Sequence, residues 1–542
     1  MIRNSPINLL GLFLLYNKIV IILIKNAQII DGSGKQSFFG DVLIKNDKIT
    51  AVGGRLSYKK ADKVIEARGL HLLPGFIDIN TDSDHYLTLF SNPSQESFLL
   101  QGVTTIVGGN CGSSLAPLMK GTLESVKKWG DIEKFSVGWR SLDDFFEVLK
   151  RIKLGVNFGT LIGHSTIRNP FLFKEPDKSR YFSLPYQDRD LTEGELEKLK
   201  NILEEAFEQG ALGLSLGLAY SSSGNAPYPE LQELAKLTAL KNKVLTVHLR
   251  DYGANLMDSI SEIIKLATET GVKTEISHLR PKQGNQEDWQ FSLEALDKFS
   301  HQADINFDFY PYDFSAHSIN ALIPEWLRQS PDLILKKIPL PLEQQILEEI
   351  KGLKFKGNEI IISQAPGNEY LIGKNLSEIS KNQKLSLPKT VMKIMRLCRM
   401  KAIIFMKDSS ERGLIQAIGN RQSFIASNDA SYPISPKGNY RQQKILAHPR
   451  SLATFPKYLS LIKNHKLLTF EEGIRKITSE PAQKFSLKLR GLVKEGYFAD
   501  LSLFDLNNLN EESRAAYVLV NGVLSVEDSK FNGKRSGQII KA

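Results

Sequence analysis

The chain predicts an α/β protein, a (β/α)8 barrel carrying a small β-sandwich domain built from both chain termini. Three observations carry this reading. The long middle alternates strand-like and helix-like segments, as parallel strands with crossover helices do. Both ends read as short strands separated by turn residues. Four residues suited to metal or acid–base chemistry each close an apolar or β-branched run, the pattern of a buried strand entering a loop.

Residues 7–24 are largely apolar behind Arg3, which resembles a signal peptide or short anchor. Asn17 and Lys18 interrupt the run, and no small-residue cleavage site follows. We expect residues 1–18 to be an extension and the protein to be cytoplasmic, with export or anchoring left open. Residues 19–75 and 490–538 form the expected discontinuous β-domain, read as antiparallel. Its markers are the turn Lys45-Asn46-Asp47-Lys48 and the run Tyr517-Val518-Leu519-Val520 before Asn521-Gly522. Residues 76–489 form the expected barrel, with strands at 75–79, 104–107, 157–162, 212–216, 244–247, 273–276, 304–309 and 424–426. Helices are expected at 193–209 and 256–270. Residues from about 316 to 423 exceed one helical connection, and we expect them to be an insertion over the barrel mouth.

At 542 residues the chain can build two domains, with a globular composition of 42% hydrophobic and 24% charged residues. The net charge of +10 comes mostly from scattered lysines, without a basic block, so no nucleic-acid partner is expected. No membrane partner is expected either, and a homo-oligomer is left open. Two cysteines exclude a disulfide scaffold and fit a reducing compartment.

Active sites of such barrels lie at the C-terminal strand ends, where distant residues converge. Cys111 in Gly108-Gly109-Asn110-Cys111-Gly112, His248, His278 and Asp429 all fall there. Together they could hold and use one zinc ion, since thiolate and imidazole suit that metal. The first barrel strand ends in Asn80-Thr81-Asp82, where a His-x-His pair would complete a known metallohydrolase pattern.

From about residue 22 to 535 the chain resembles the amidohydrolase superfamily, and within it the N-acyl-D-amino-acid deacylases (D-aminoacylases). The matching segments include Gly163-His164-Ser165-Thr166-Ile167-Arg168, Ser277-His278-Leu279-Arg280, Tyr310-Pro311-Tyr312, Ser427-Asn428-Asp429 and His448-Pro449-Arg450. The resemblance implies a Cys–His–His site at Cys111, His248 and His278 holding one zinc per chain. It implies Asp429 as general base and then acid. It puts substrate-carboxylate binding on Arg450, Arg280, and Tyr310 or Tyr312. His164 could line the pocket or orient intermediates, with a packed core histidine as the alternative. The family's second, weaker metal position maps onto Asn80 and Asp82, a departure that leaves only a weak second site expected. The implied substrate is a small N-acyl amino acid. Two alternatives stay beside this: another amidohydrolase reaction, on hydantoins or D-dipeptides, and a non-catalytic relative.

Overall fold

The computed structural model describes residues 19–542 except 57–59, 120–137, 173–188, 329–330, 337, 354 and 435–443. The expected 1–18 extension therefore lies outside the described residues.

Parallel strands organise the middle of the chain. Phe76–Asp78, Val103–Gly108 and Asn157–Thr160 pair side by side in that order. Ile162–Gly163 opens a second arc through Gly213–Gly217, Val244–His248, Lys273–Ile276 and Ile305–Phe309 to Ser423–Ile425. These strands are buried on both faces, which is why they read as continuous apolar runs rather than alternating ones. Helices between them cover the outer face. Glu193–Glu208 starts at a capping box, in which Thr192 and Glu195 satisfy each other's backbone N–H groups. Leu256–Thr270 stops at Gly271, whose φ of 68° is cheap for glycine.

Both termini contribute to one nine-stranded sheet, in which Leu501–Phe504 pairs antiparallel with His71–Pro74. It differs from the antiparallel reading at one strand. Ile21–Ile29 pairs parallel with both Lys63–Glu66 and His71–Pro74. The connection after Gly53 is not a tight hairpin, so the chain returns in the same direction. Ile24, Val42, Leu72 and Leu501 form this sheet's own buried cluster. It is tied to the parallel strands through polar groups. Asn157 Nδ2 donates to Asp500 at 3.1 Å, and Arg490 pairs with the same carboxylate.

Residues 314–407 carry a small antiparallel sheet of their own. Phe314–Ser318 and Ile360–Gln364 flank Ile403–Lys407 in an antiparallel sheet. Ile346, Ile362, Val391 and Met395 pack in a core distinct from that of the parallel strands. The layer ends earlier than 423, because Leu414, Ala417 and Ile418 of the Glu411–Gly419 helix join the larger core instead.

Candidate active site

The strand ends bring Cys111, His248 and His278 together. One ligand atom from each lies within 4.8 Å of the others, and Cys111 Sγ is 3.4 Å from His278 Nε2. This is the only such His/Cys/Asp/Glu group among the described residues. Burial lowers the His278 pKa to about 3, so its ring stays neutral and keeps a lone pair for a metal. The donor set of one sulfur and two imidazoles therefore fits zinc.

The backbone holds two of these three residues in unusual conformations. Cys111 and His278 have φ of 53° and 40°, in the left-handed region that non-glycine residues avoid. Gly112, at φ 77°, sits so close to the neighbouring strand that a Cβ would lie 2.5 Å from the Gly217 backbone nitrogen. The Gly-Asn-Cys-Gly sequence thus lets the chain press against Gly213–Gly217 while turning the thiol inward. His278 is braced at its own backbone, since its N–H donates to Asp308 Oδ1 at 2.9 Å.

Asp429 is buried against Arg450, which lines the same cavity as Cys111, His248 and His278. Its Oδ1 accepts the Ala430 N–H at 2.8 Å, and its Oδ2 accepts Arg450 Nε at 3.1 Å. Burial raises its pKa above the usual carboxylate range, against the pull of Arg450. The Arg450 guanidinium lies 4.4 Å from the centre of the Tyr310 ring, and that of Arg280 lies 4.0 Å from it. Arg280 also donates to the Tyr310 hydroxyl, and to the Tyr312 carbonyl at 2.6 Å. Arg280, Tyr310 and Arg450 line a cavity of about 580 Å³ that opens over the three candidate ligands.

Three expected residues are placed differently. Tyr312 does not line the cavity; its hydroxyl donates to the Pro449 carbonyl at 3.4 Å, and it acts only through the carbonyl that holds Arg280. His164 is fully buried away from the cavity, with Ser223 Oγ at 3.0 Å and Glu230 Oε1 at 2.8 Å from its two ring nitrogens. Glu230 also binds Arg168, so this is an internal ion network behind the strand ends. Asn80 turns its amide to Asp308 Oδ2 at 3.0 Å. Asp82 does face the cavity, but its Oδ1 is 3.0 Å from His85 Nδ1. At the expected second metal position Asn80 Oδ1 is buried without a hydrogen-bond partner, and Asp82 is paired with His85.

A D-aminoacylase of Alcaligenes xylosoxydans xylosoxydans is 27% identical over 534 residues, covering 96% of this chain and 97% of its own. A solved N-acyl-D-glutamate deacylase from Bordetella bronchiseptica, complexed with zinc and a phosphonate mimic of the tetrahedral intermediate, superimposes with a TM-score of 0.78 at 23% identity. That match covers 96% of this chain and 99% of the other. A solved D-aminoacylase with a binuclear metal centre, described by one-metal activation and second-metal attenuation, gives a TM-score of 0.74 at 25% identity over the same shares. No protein-family model matches the chain. The chain resembles the D-aminoacylases over nearly its whole length.

The site also holds residues that the sequence motifs do not single out. Tyr252 packs edge-on against His248 and tilted against His278, with ring centres at 5.2 and 5.1 Å. Its hydroxyl donates to the Ser277 carbonyl at 2.8 Å. Asp408, from the inserted layer, gathers Arg280, Lys282 and His317 at 3.4, 3.6 and 3.5 Å. Burial works against its ionisation, but the hydrogen bond from His317 and the charges of Arg280 and Lys282 hold its carboxyl well below the usual range. The spacing of Tyr252 four residues after His248 was a usable signal. Nothing near Asp408 in sequence points to residues 280–282.

Proposed function

We propose that this protein is a zinc-dependent hydrolase that cleaves N-acyl-D-amino acids to a carboxylate and a free amino acid. The observation that carries the reading is the convergence of Cys111, His248 and His278 beside the buried Asp429–Arg450 pair. We also infer that the two parallel arcs are one closed (β/α)8 barrel. Hydrogen bonds from Asn428 N–H to the Asn80 carbonyl at 2.8 Å, and from Asp82 N–H to the Asp429 carbonyl at 2.9 Å, support the closure.

Cys111, His248 and His278 would hold one zinc. Bound there, zinc supplies Lewis acidity that polarises the scissile carbonyl and acidifies water. The remaining chemistry belongs to the chain. Asp429 takes the proton of the attacking water and passes it to the amide nitrogen as the C–N bond breaks. Its raised pKa suits both halves of that transfer. Arg450 and Arg280 supply fixed positive charge for the substrate carboxylate, both held against the Tyr310 ring so that little side-chain freedom remains to be lost on binding. Arg450 touches Asp429 through Nε, which leaves the terminal nitrogens to meet the carboxylate. Tyr220 and Tyr252 pack against His248 and restrict water at the ligands.

The test is a substrate panel of N-acyl-D- and N-acyl-L-amino acids, hydantoins and D-dipeptides on zinc-loaded protein, beside Cys111→Ala. Hydrolysis of the N-acyl-D-amino acids is expected, with zinc and activity both lost in the variant. Failure to cleave any N-acyl amino acid, with zinc retained in Cys111→Ala, would sink the proposal.

A further inference from the structure

Asp408 has no part in the chemistry of the preceding section, yet it stands in the cavity wall with its side chain only 9% exposed. Its backbone fastens the end of the Ile403–Lys407 strand to the turn after Lys273–Ile276. Gln283 N–H donates to the Asp408 carbonyl and Ser410 N–H to the Pro281 carbonyl, each at 2.9 Å. The carboxylate meets Arg280 through Oδ1, 3.4 Å from a terminal guanidinium nitrogen. Oδ2 accepts the Ser315 hydroxyl at 2.6 Å, with Lys282 Nζ at 3.6 Å and His317 Nε2 at 3.5 Å. The Ser315 hydroxyl is also 2.6 Å from His317 Nε2, so the carboxylate is gripped from several sides.

The arrangement repeats the one on the other arginine. Both guanidinium groups lie against the Tyr310 ring, at 4.0 Å for Arg280 and 4.4 Å for Arg450. Each has a carboxylate of its own, Asp408 for Arg280 and Asp429 for Arg450. Without them two buried like charges would repel across one ring. The terminal nitrogens of Arg280 also donate to the Tyr310 hydroxyl and the Tyr312 carbonyl. Its Nε is buried with no acceptor in the protein. An N–H left in that state costs free energy until an acceptor oxygen reaches it.

We propose that Asp408 is a positioning residue for substrate binding, which fixes Arg280 so that its Nε is kept for the substrate carboxylate. The inference rests on the preceding section's reading of Arg280 as a carboxylate-binding group. Asp408 touches neither the substrate nor the bond that breaks. Its charge has two effects of opposite sign. As an anion it opposes an incoming carboxylate, but Arg280 and Lys282 outnumber it and offset that repulsion. As an anchor it removes the rotamer freedom of Arg280 before the substrate arrives, and this effect wins.

The test is a double-mutant cycle of Asp408→Asn and Arg280→Leu, read as KM, kcat and calorimetric Kd for the N-acyl-D-amino acids of the substrate panel. Asp408→Asn alone should raise KM and Kd roughly tenfold, the worth of one arginine's rotamer freedom, and leave kcat within about twofold. In the Arg280→Leu background the same change should have no effect. An unchanged or lowered KM, or an equal rise in both backgrounds, overturns the inference. Should Asp408→Asn fail to fold, Asp408→Glu keeps the charge but moves it by one methylene, and it takes the same place in the cycle under the same criteria. A parent that binds these compounds without cleaving them sinks the hydrolase reading alone, and the Kd cycle still decides Asp408. A parent that neither binds nor cleaves them sinks both.

Discussion

At the scale of single residues, the proposed reaction assigns proton transfer and carboxylate binding to two residues that touch, Asp429 and Arg450. Asp429→Asn should lower kcat by about 10²–10⁴-fold, the usual worth of a positioned acid–base group, while elemental analysis still finds the zinc of the parent. Arg450→Leu should raise KM roughly 10–100-fold, because a charge-assisted hydrogen bond contributes about 1.5–3 kcal/mol. The same substitution should matter far less for a substrate whose carboxylate is blocked as an amide, and an equal effect on both would remove Arg450 from carboxylate binding. His85 makes a prediction about stability. Its folded pKa of about 9 lies above its ordinary value of 6.5, so its contribution is fully present below pH 6.5. It is lost as pH rises through 9. The Tm gap between parent and His85→Asn should therefore be widest near pH 6 and shrink between pH 6.5 and 9.

Single elements place the ligands through strained turns at strand ends. Gly112→Ala forces a Cβ into the Gly217 backbone at a φ of 77°. It should cost on the order of 1–3 kcal/mol and reduce zinc affinity, because the turn that carries Cys111 must move. Thermal denaturation and metal content would check both effects. This scale was also the most legible in sequence. Cys111, His248, His278 and Asp429 end apolar runs, and a parallel strand buried on both faces leaves that signature whatever its neighbours are. The helix at Leu256–Thr270 was readable from its apolar spacing and its closing glycine. Parallel pairing of Ile21–Ile29 was not readable, since a short strand's alternation does not record its neighbour's direction. His164 could be read either way, because a histidine at a strand end looks the same whether it faces a cavity or a buried glutamate. His85 and Asp408 were invisible for a further reason: their meaning comes from partners on other elements, brought near only by folding.

For the whole molecule, the junction between the terminal sheet and the parallel strands is polar and buried. Arg490 pairs with Asp500, and Asn521 Nδ2 donates to Asn157 Oδ1 at 2.7 Å. Removing Arg490 as Arg490→Leu strands the Asp500 charge and should destabilise the protein by about 3–5 kcal/mol in chemical denaturation, without changing zinc stoichiometry. The inserted layer at 314–407 has a different bearing on the molecule. It supplies one wall of the cavity, including Ser315, His317 and Asn320, and folds around a core of its own. None of the three candidate ligands and neither member of the Asp429–Arg450 pair comes from it. Mutations can therefore accumulate in that wall, and change which side chain is admitted, while the bond-breaking apparatus is inherited intact. Descendants of such a chain are free to trade diets without relearning how to cut.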